Sequence, residues 1–472
     1  MEDTTIAISR LRNKKKWAYS FHSLLSIQTE EYLKNTNFEI QQLGKLVAEI
    51  SDGLHSTRHY VDDGIVMLAV RNITEFGLDL SNKKMIAQAE HEHLERSQVQ
   101  PGDLLVTITG RLGTALVYTS EKPANLSAHV ARVKVHLNKV NPYYLAAYLN
   151  SNFGKQLLNE HSIGSLYPHI NVNGLQTVQI IIPPKYIQDL IAQIIQSAYS
   201  EYQEKLLESQ NLILGIQEYV VKVIGIKNVL PASKNWFLIS QSQLNRFDVR
   251  YFLPFYTQLE KIIENAIYPT KTLSEICIKI VNGLTPSKDG YTENGCVVIK
   301  VSSLTKDWRI EWKKVAFTSR TFFDKAKKAY IKDGDLLILS ASHQLDYIGG
   351  SFGLVRDIPI EYLDQCMAVG ELIIVRANHK IVLPEYLLTC FIIKPIQELI
   401  NRMSRGQTAH LYAEDLQHLR VPIPPMKIQQ LIVDELNRRR NEAKRLHTEA
   451  ENLLTESKAR VERIILGEEE VT

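Results

Sequence analysis

The feature that most constrains this chain is an internal duplication. The segment SLYPHINVNGLQTVQIIIPP at residues 165–184 returns as GQTAHLYAEDLQHLRVPIPP at residues 406–425. Each copy passes from a small polar turn through an aromatic residue and a histidine into an apolar strand, ends at Pro-Pro, and precedes a long helical pattern. A repeat on this scale has to be recognised first, because overlooking it would misassign the whole fold.

Other repeated segments keep the same order along the chain. KLVAEISDGL and SEICIKIVNGL carry Gly53 and Gly283, which are 230 residues apart, and PGDLLVTIT and DGDLLILSA carry Asp103 and Asp335, which are 232 apart. NPYYLAAYL matches LPEYLLTCF, and the lead-in WAYSFHSLLSIQTEEYL has the spacing of WFLISQSQLNRFDVRYF. The slowly drifting offsets indicate duplication of a unit of about 220 to 240 residues with small loop insertions.

Length and composition agree with two globular units that each carry a helical appendage. A chain of 472 residues suggests two to four domains. Hydrophobic and charged contents of 44% and 23% are typical of globular proteins. The net charge is only +3, and residues 45–183 contain twelve basic and twelve acidic side chains. Bulk basicity therefore gives no support to nucleic-acid binding, although a local basic face on a neutral domain stays possible.

Cysteine usage and hydropathy exclude several classes of protein. The four cysteines, Cys277, Cys296, Cys366 and Cys390, all lie in the second half without CxxC spacing. This pattern argues against a structural zinc site and against a disulfide framework shared by the repeats. No stretch approaches the roughly 18 uninterrupted apolar residues that a membrane-spanning helix needs, and no apolar signal core follows the basic N-terminus. We expect a cytoplasmic protein that binds neither metal nor membrane.

Each repeat predicts a mixed α and β unit. Short β-rich runs such as DLLVTIT and ELIIVRA alternate with turns, and one helix per repeat is expected, at about 142–158 and 384–403, each starting with proline. After each Pro-Pro, apolar residues recur every three or four positions, which predicts helices of about 40 residues and roughly 60 Å. Such narrow apolar seams need partners, so we predict an antiparallel coiled coil with the two units at opposite ends of a rod.

The predicted fold class is therefore α+β, with two tandem-repeated domains joined by two long helices. The expected boundaries are a first domain with its lead-in at 1–183, a first long helix at 184–225, a second domain with its lead-in at 226–423, a second long helix at 424–466, and a tail at 467–472.

The repeated motifs resemble those of a known family, the specificity subunit of type I restriction-modification enzymes. The tandem order comprises a GDLL strand, a glycine-containing polar loop, an apolar strand that ends in Pro-Pro, and a long helix that opens with Ile-Gln. The matching residues are Gly102 to Leu105 with Gly334 to Leu337, Pro183-Pro184 with Pro424-Pro425, and Ile187-Gln188 with Ile428-Gln429. The resemblance covers the chain from about Trp17 to Leu466. One departure is SASHQLDYIGGSFGLV, in which the second unit's glycines are displaced and a longer loop is expected.

The resemblance implies a non-catalytic subunit that reads double-stranded DNA. Each unit would be a target recognition domain for one half of a bipartite sequence, with half-sites about 10 base pairs apart from centre to centre. The long helices would act as a ruler and would dock modification (methyltransferase) subunits, two in number, and indirectly restriction translocase subunits. The chain itself would bind no cofactor, and S-adenosylmethionine would belong to the partner methyltransferase.

DNA contacts are expected at the loops that follow equivalent strands. In the first domain the candidates are His55, Arg58, Arg71, Asn72, Thr107, Thr109, Arg111, Ser165, Tyr167, His169 and Asn171. In the second domain they are Thr285, Lys288, Lys300, Ser302, Ser340, Ser342, His343, Gln344, Arg405, Gln407 and His410. Arginine pairs with guanine, and asparagine or glutamine with adenine, in the major groove. Lysine, serine and threonine mostly hold phosphates.

Two alternatives remain open: a duplicated protein-interaction scaffold, and a DNA reader of a related methylation-based phage-defence system. Three apparent catalytic or metal motifs are set aside, the first two as structural because they do not recur in both repeats, and the histidine pairs as surface or DNA-contacting residues because no cysteine lies near them. They are Asn141-Pro142-Tyr143-Tyr144, which resembles a methyltransferase tetrad, Asp289 with Glu311-Trp312-Lys313, which resembles a nuclease site, and the pairs His55 with His59 and His91 with His93.

Overall fold

The computed structural model describes residues 24–53, 59–164, 168–226, 249–348, 350–406 and 409–471. The described residues form two compact units. The first unit comprises Met1–Leu206 with His447–Thr472, and the second comprises Leu207–Leu446. Each unit contains one recognition-type domain and stretches of both long helices. The domain boundaries inferred from the sequence stay a prediction.

The first domain precedes the first long helix. Its strands are β1 Glu39–Gln42, β2 Val47–Asp52, β3 Ile65–Leu68, β4 Ile73–Thr74, β5 Gly77–Leu78, β6 Lys84–Ile86, β7 Gln98–Val99, β8 Leu104–Thr107, β9 Ala115–Val117, β10 Ala124–Leu126, β11 Val130–Val135 and β12 Gln179–Ile182. Its helices are α1 Leu24–Asn35, α2 Leu43–Leu46, α3 Gln88–His93, α4 Pro142–Asn150, α5 Asn152–Glu160 and α6 Val172–Gln176, with 3-10 turns at Val70–Asn72 and Glu95–Ser97. The first long helix, α7, spans Lys185–Ile224.

The second domain repeats most of this element order, with additional short elements. Its strands are β13 Thr270–Thr272, β14 Cys277–Asn282, β15 Tyr291–Thr292, β16 Cys296–Ile299, β17 Ala316–Thr318, β18 Asp335–Leu339, β19 Ala341–Ser342, β20 Phe352–Leu354, β21 Cys366–Ala368, β22 Leu372–Ala377, β23 Ala409–His410 and β24 Arg420–Pro422. Its helices are α8 Pro254–Glu264, α9 Leu273–Ile276, α10 Arg320–Lys325, α11 Leu345–Ile348, α12 Pro384–Ile392, α13 Lys394–Met403 and α14 Ala413–Leu416. Its 3-10 turns are Val249–Phe252, Lys288–Gly290, Val301–Ser303, Trp312–Lys314, Lys327–Ala329 and Ile360–Tyr362. The second long helix, α15, spans Met426–Leu466.

The two domains share one sheet topology. The main sheet has the order β2-β11-β8-β9 in the first domain and β14-β22-β18-β20 in the second. A second sheet contains the equivalent strands β6-β3-β10 and β17-β16-β21, with a parallel pair at β3–β10 and at β16–β21. The closing pairs β1–β12 and β13–β24 also correspond. The predicted α+β duplication is therefore confirmed.

The GDLL strand lies between two cores in each domain. Leu104 and Val106 of β8 point into the core beneath α4, whereas Leu105 points into a second core formed with the other sheet. In β18, Leu336 and Leu337 divide in the same way. Because successive side chains of a strand face opposite sides, a strand buried on both faces must be apolar throughout.

The Gly-Asp pair at the start of this strand closes a turn. The carboxylate of Asp103 accepts a hydrogen bond from the backbone N–H of Gln100 at 2.8 Å, and that of Asp335 accepts one from Lys332 at 2.7 Å. Burial raises the pKa of Asp103, an effect that the Gln100 hydrogen bond and nearby Arg132 oppose. Aspartate thus serves as a local backbone acceptor, which is its common use in turns.

Two equivalent glycines are required by close backbone packing. A Cβ atom on Gly53 would lie 2.3 Å from the carbonyl oxygen of Leu126, and one on Gly283 would lie 2.2 Å from that of Ala368. Each glycine ends the first strand of the main sheet and lies against the parallel strand of the second sheet. This contact explains why the DGL and NGL motifs recur at the same position in both repeats.

The single helix predicted near the end of each repeat is wrong, because each copy consists of two helices. In the first domain α4 ends before Ser151, whose hydroxyl caps α5 by accepting the N–H of Gly154 at 2.9 Å. In the second domain the break falls at Ile393, and Pro395 at the start of α13 cannot donate the backbone hydrogen bond that a continuous helix needs.

A buried glutamine joins each domain to its long helix. Gln188 is 2% exposed; its side chain accepts the N–H of Asn141 at 2.9 Å and donates to the carbonyl of Pro183 at 2.8 Å. Gln429 makes the equivalent contacts, accepting from Leu383 at 2.9 Å and donating to Pro424 at 2.9 Å. In each domain, one glutamine side chain thus provides hydrogen-bond partners for two backbone groups. One lies just before the domain helix, α4 or α12, and the other lies just after the strand, β12 or β24.

The lengths and pairing of the long helices agree with the sequence. They contain 40 and 41 residues. In the first unit, Lys205 contacts Glu449 at 3.3 Å, while Ile187, nearer the start of α7, shares a core with Ile465, nearer the end of α15. In the second unit, Ser209 donates to the carbonyl of Ala443 at 3.0 Å, while Arg439, earlier on α15, lies over the ring of Tyr219, later on α7. The antiparallel pairing is therefore confirmed within each unit. None of the helices in the described ranges is long and apolar enough to cross a membrane.

Replacing the buried glutamine should destabilise the second domain. Gln429→Met would leave the N–H of Leu383 and the carbonyl of Pro424 without their buried partner, at a cost of about 2–3 kcal/mol in the free energy of unfolding. Urea unfolding of the full chain, followed by circular dichroism, measures this loss. Gln430→Met is the matched control, because Gln430 is exposed and bonds only Asp434 among its described contacts. Equal unfolding midpoints for the two variants would contradict the role assigned to Gln429.

Candidate nucleic-acid interface

Three predicted contact loops of the first domain meet at one edge. The backbones of Thr109 and His169 form a bridge, which brings the loop after β8 beside the loop before α6. The guanidinium of Arg111 donates to the carbonyl of Val70 at 3.0 Å, which joins the same loop to the turn after β3. The exposed side chains of Arg71, Arg111 and His169 therefore belong to one surface.

The second domain gathers the equivalent loops. The hydroxyl of Thr285 donates to the carboxylate of Glu371 at 2.8 Å and accepts the N–H of Gly370 at 2.8 Å. Strand β19 pairs with β23, so that Ala341 lies opposite His410. Asn282, at the end of β14, approaches the hydroxyl of Ser340 at 3.4 Å. The loops after β14 and β18 and the turn between β21 and β22 thus converge with the loop before α14.

Three of the predicted contact residues are buried. Asn72 is 1% exposed, and its amide bonds the carbonyl of Asp79 and the N–H of Ala69. Thr107 and Ser340 are also buried, and the hydroxyl of Thr107 bonds the carbonyl of Arg111 and the N–H of Thr114. These side chains shape the loops from within, and their direct contact with DNA stays a prediction.

The remaining predicted residues of the described ranges lie at or near the surface. Asn171 caps α6 by accepting the N–H of Gly174 at 2.8 Å. The ammonium group of Lys300 lies 4.3 Å from the ring centroid of Tyr291, and Arg405 pairs with Asp415 and lies over Tyr412. The others are Lys288, Ser302, Ser342, His343 and Gln344, of which all but the half-buried Ser342 are exposed. Five predicted residues lie outside the described residues: His55, Arg58, Ser165, Tyr167 and Gln407.

Sequence reasoning missed four side chains that the fold brings to these edges. His129 lies 3.3 Å from the hydroxyl of Thr109, and Glu371 bonds Thr285. Tyr291 and Tyr412 support Lys300 and Arg405. Burial raises the pKa of Tyr291, and the nearby Glu371 carboxylate adds to the effect. Their position in the sequence could have indicated two of them, since His129 and Glu371 each directly precede a strand of the main sheet, β11 and β22.

The edge of the second domain contains an insertion, as its sequence indicated. The longer loop after β18 forms β19 and the single-turn helix α11, in which Ile348 is fully buried. The first domain crosses the same position with a short turn in which Gly110 and Gly113 have φ of 73° and 81°. The two edges therefore have different shapes on a common framework.

One residue from each of the three motifs set aside in the sequence makes a contact within the fold. Asn141 caps α4, its amide oxygen accepting the N–H of Tyr143 at 2.9 Å, and its amide nitrogen donates to Asp189. Glu311 pairs with Lys314, and the ring of His91 contacts Asn125. Within the described ranges, no group of three His, Cys, Asp or Glu side chains could hold a metal ion.

Comparison with known families identifies this duplicated architecture. The model of the type I restriction modification DNA specificity domain matches residues 91–212 and again residues 268–456, which together exceed half of the chain. The chain belongs to this specificity family. The two matches fall on the two copies of the repeat, so the family domain and the structural duplication coincide.

Relatives agree with the assignment to the specificity family. The type I restriction enzyme EcoBI specificity subunit of Escherichia coli is 25% identical over 147 residues, an alignment that spans only 31% of either chain. A relative from Methanocaldococcus jannaschii, named for the MjaX type I restriction enzyme specificity subunit, is 21% identical over 88% of this chain and 91% of its own length. A solved chain, from work on complex assembly and conformational transition of the type I R-M system, has a TM-score of 0.50 at 15% identity. It covers 91% of this chain and 97% of its own, and shows the same fold.

Asn72 and Arg71, which are neighbours at the loop edge of the first domain, should respond differently to substitution. Asn72→Ala removes two internal hydrogen bonds of a buried amide and should lower the free energy of unfolding by about 1–3 kcal/mol. Arg71→Ala, one residue earlier and exposed, should change stability by less than about 0.5 kcal/mol. Thermal unfolding of the two variants beside the parent chain measures both effects. An Asn72→Ala variant as stable as the parent would contradict the supporting role of this side chain.

Proposed function

We propose that this chain is the sequence-reading subunit of a type I restriction-modification system and has no catalytic site of its own. Each domain reads one half of a bipartite duplex target through the edge loops described above. The observation that carries this proposal is the convergence of exposed polar loops at equivalent strand ends of two copies of one framework. Variable loops on a repeated framework are suited to reading two different half-sites with the same geometry.

The long helices are proposed to dock the modification subunits and to set the distance between half-sites. On α7, Leu207 and Leu214 are 58% and 63% exposed and lie seven residues apart, which puts them on the same helix face. Exposed leucines at this spacing are suited to packing against a helix of another subunit. We propose two modification subunits, which carry the S-adenosylmethionine, and restriction translocase subunits that join indirectly.

The charge of the second domain supports an anionic partner. The segment formed by α10 and its following 3-10 turn buries Phe323, Ala326 and Ala329, and exposes Lys325, Lys327 and Lys328. The equivalent segment of the first domain, α3 and Glu95–Ser97, carries Glu90, Glu92 and Glu95. The second domain therefore presents a local basic face, although the first domain is neutral overall. Phosphate contacts of this kind strengthen binding without sequence preference.

Base-modification sequencing tests the proposed function directly. Cells that contain this chain with its modification subunit should carry a split methylated motif, and cells that lack only this chain should not. Replacing residues 45–183 by the corresponding domain of a relative should change one half of that motif and leave the other half intact. Methylation that is unchanged without the chain would contradict the proposal and favour a protein-interaction scaffold.

The basic segment should account for part of the salt dependence of DNA binding. A triple variant of the assembled complex has glutamine in place of Lys325, Lys327 and Lys328. Its log affinity should fall less steeply with log salt, by about 0.9 in slope for each phosphate that these lysines neutralise. The preferred sequence should not change. Glutamine at the exposed Lys261, Lys380 and Lys427 removes the same charge elsewhere in the second unit and is the control. Equal slopes for the two triple variants would exclude this segment as a phosphate-binding surface.

A further inference from the structure

A hairpin of the first domain contacts the long helices through its tip. Strands β4 and β5 pair, and residues 75 and 76 form the turn between them. The ring of Phe76 stacks on Tyr202 of α7, with centroids 4.6 Å apart and planes at 18°, and meets Tyr199 edge-on at 5.3 Å. The side chain of Gln203 also donates to the carbonyl of Phe76 at 2.8 Å.

The second long helix contacts the same tip. The ammonium group of Lys458 lies 2.6 Å from the carboxylate of Glu75 and 5.7 Å from the ring centroid of Phe76. The side chains of Glu75 and Lys458 are 20% and 31% exposed, so water only partly screens the ion pair. Burial raises the pKa of Tyr199, and the Glu75 carboxylate adds to that shift. The tip is thus held by both helices of the first unit.

The second domain makes a corresponding contact with different chemistry. Its hairpin is closed by the Leu304–Ile310 bridge, and Trp308 at the tip has φ of 64°, which is unfavourable for a bulky residue. Arg440 of α15 lies 5.5 Å from the Trp308 ring and donates to the carbonyl of Asp307 at 2.8 Å. Arg440 is 6% exposed, and burial lowers its pKa to about 10.

The two contacts occupy equivalent positions of the duplication. Phe76 and Trp308 are 232 residues apart, the same offset as Asp103 and Asp335. Tyr199 and Arg440 are 241 residues apart, the same offset as the Pro-Pro pairs. Both copies therefore retain an aromatic tip against the same helix position, although the helix residue is tyrosine in one and arginine in the other.

The two tips also provide an attachment well separated from the glutamine junction. Gln188 and Gln429 hold each domain at the first turn of its long helix, whereas Tyr199 and Arg440 lie eleven residues further along. Eleven residues correspond to roughly 16 Å of helix. Between these points the long helices also pack into the domain cores, through Ile191 and Ile195 of α7 and through Ile432 and Leu436 of α15. The hairpin contact extends this attachment further along each helix and so restricts rotation of the domain about its junction.

We propose that these bracing hairpins, residues 73–78 and 304–310, determine the orientation of each recognition domain on its own helices and thereby the tolerated distance between half-sites. This inference rests on the proposed function. A shift of one base pair displaces a half-site by about 3.4 Å and rotates it by about a tenth of a turn. A braced domain cannot follow that displacement without breaking the Phe76 or Trp308 contact. These aromatics are positioning residues that contact no base.

The test measures spacing preference in the intact complex. The parent chain and Phe76→Ala, each assembled with its modification subunits, compete for duplexes in which the half-sites have the native spacing or one base pair more or fewer. We expect Phe76→Ala to lower the preference for native spacing about five- to tenfold, while the preferred sequence of each half-site stays the same. Phe76→Trp retains a ring for stacking on Tyr202 and should restore most of the preference.

Two further variants separate bracing from general stability. Val133→Ala makes a cavity in the core of the first domain without touching the hairpin, and should leave the spacing preference unchanged despite lower stability. Lys458→Gln removes the ion pair with Glu75 and the charge over the Phe76 ring but keeps the ring stacked on Tyr202, so it should give a smaller loss of spacing preference. This variant keeps the test available if Phe76→Ala does not assemble. A parent chain that selects one spacing, with Phe76→Ala and Lys458→Gln equally selective, would overturn the bracing inference alone. A parent chain that selects no split sequence would instead overturn the proposed function.

Discussion

The junction between each domain and its long helix depends on one buried glutamine side chain. At this point a strand ends in two prolines, a domain helix begins, and a helix of about 40 residues starts, so several backbone groups lose their regular partners together. Pro184 and Pro425 have no N–H to donate, and the carbonyls before them need a donor from elsewhere. The amide of Gln188 or Gln429 supplies both a donor and an acceptor at this point. A tyrosine adds a second tether, since Tyr144 and Tyr386 donate to carbonyls of β12 and β24.

The duplication preserves the residues that the framework needs and varies those at its edges. Gly53 and Gly283 permit contact between sheets, and Asp103 and Asp335 close the same turn. The edges differ in shape and charge. The loop after β8 is a short glycine turn, whereas the loop after β18 contains α11. The α3 segment is acidic and the α10 segment basic, although both follow equivalent strands of the second sheet. A chain organised in this way can change what it reads without changing how it folds.

Sequence patterns predicted the framework well because its constraints are local or periodic. The repeat order, the β-rich GDLL run and the two long helices follow from spacing and hydrophobicity that can be read along the chain. The prediction of a single helix near residues 142–158 was wrong because the Ser151 side chain caps a second helix there. Whether a serine caps a helix depends on the hydrogen bond that its hydroxyl makes in the folded chain. Several of the candidate contact loops lie beside one another in the structure, but burial of Asn72, Thr107 and Ser340 was not foreseen, since polar residues near strand ends have no periodicity to show which side they face.

The amino-acid sequence by itself determined the duplication, the α+β class and the antiparallel pairing of long amphipathic helices, because repeated motifs and hydrophobic periods record these directly. Only the tertiary structure decided which side chains share a surface. Phe76 and Tyr202 are far apart in the chain, as are Trp308 and Arg440, and no local pattern links the members of either pair. Their contacts arise because a hairpin tip must cover a long helix beside the main core, and such packing depends on the arrangement of whole elements.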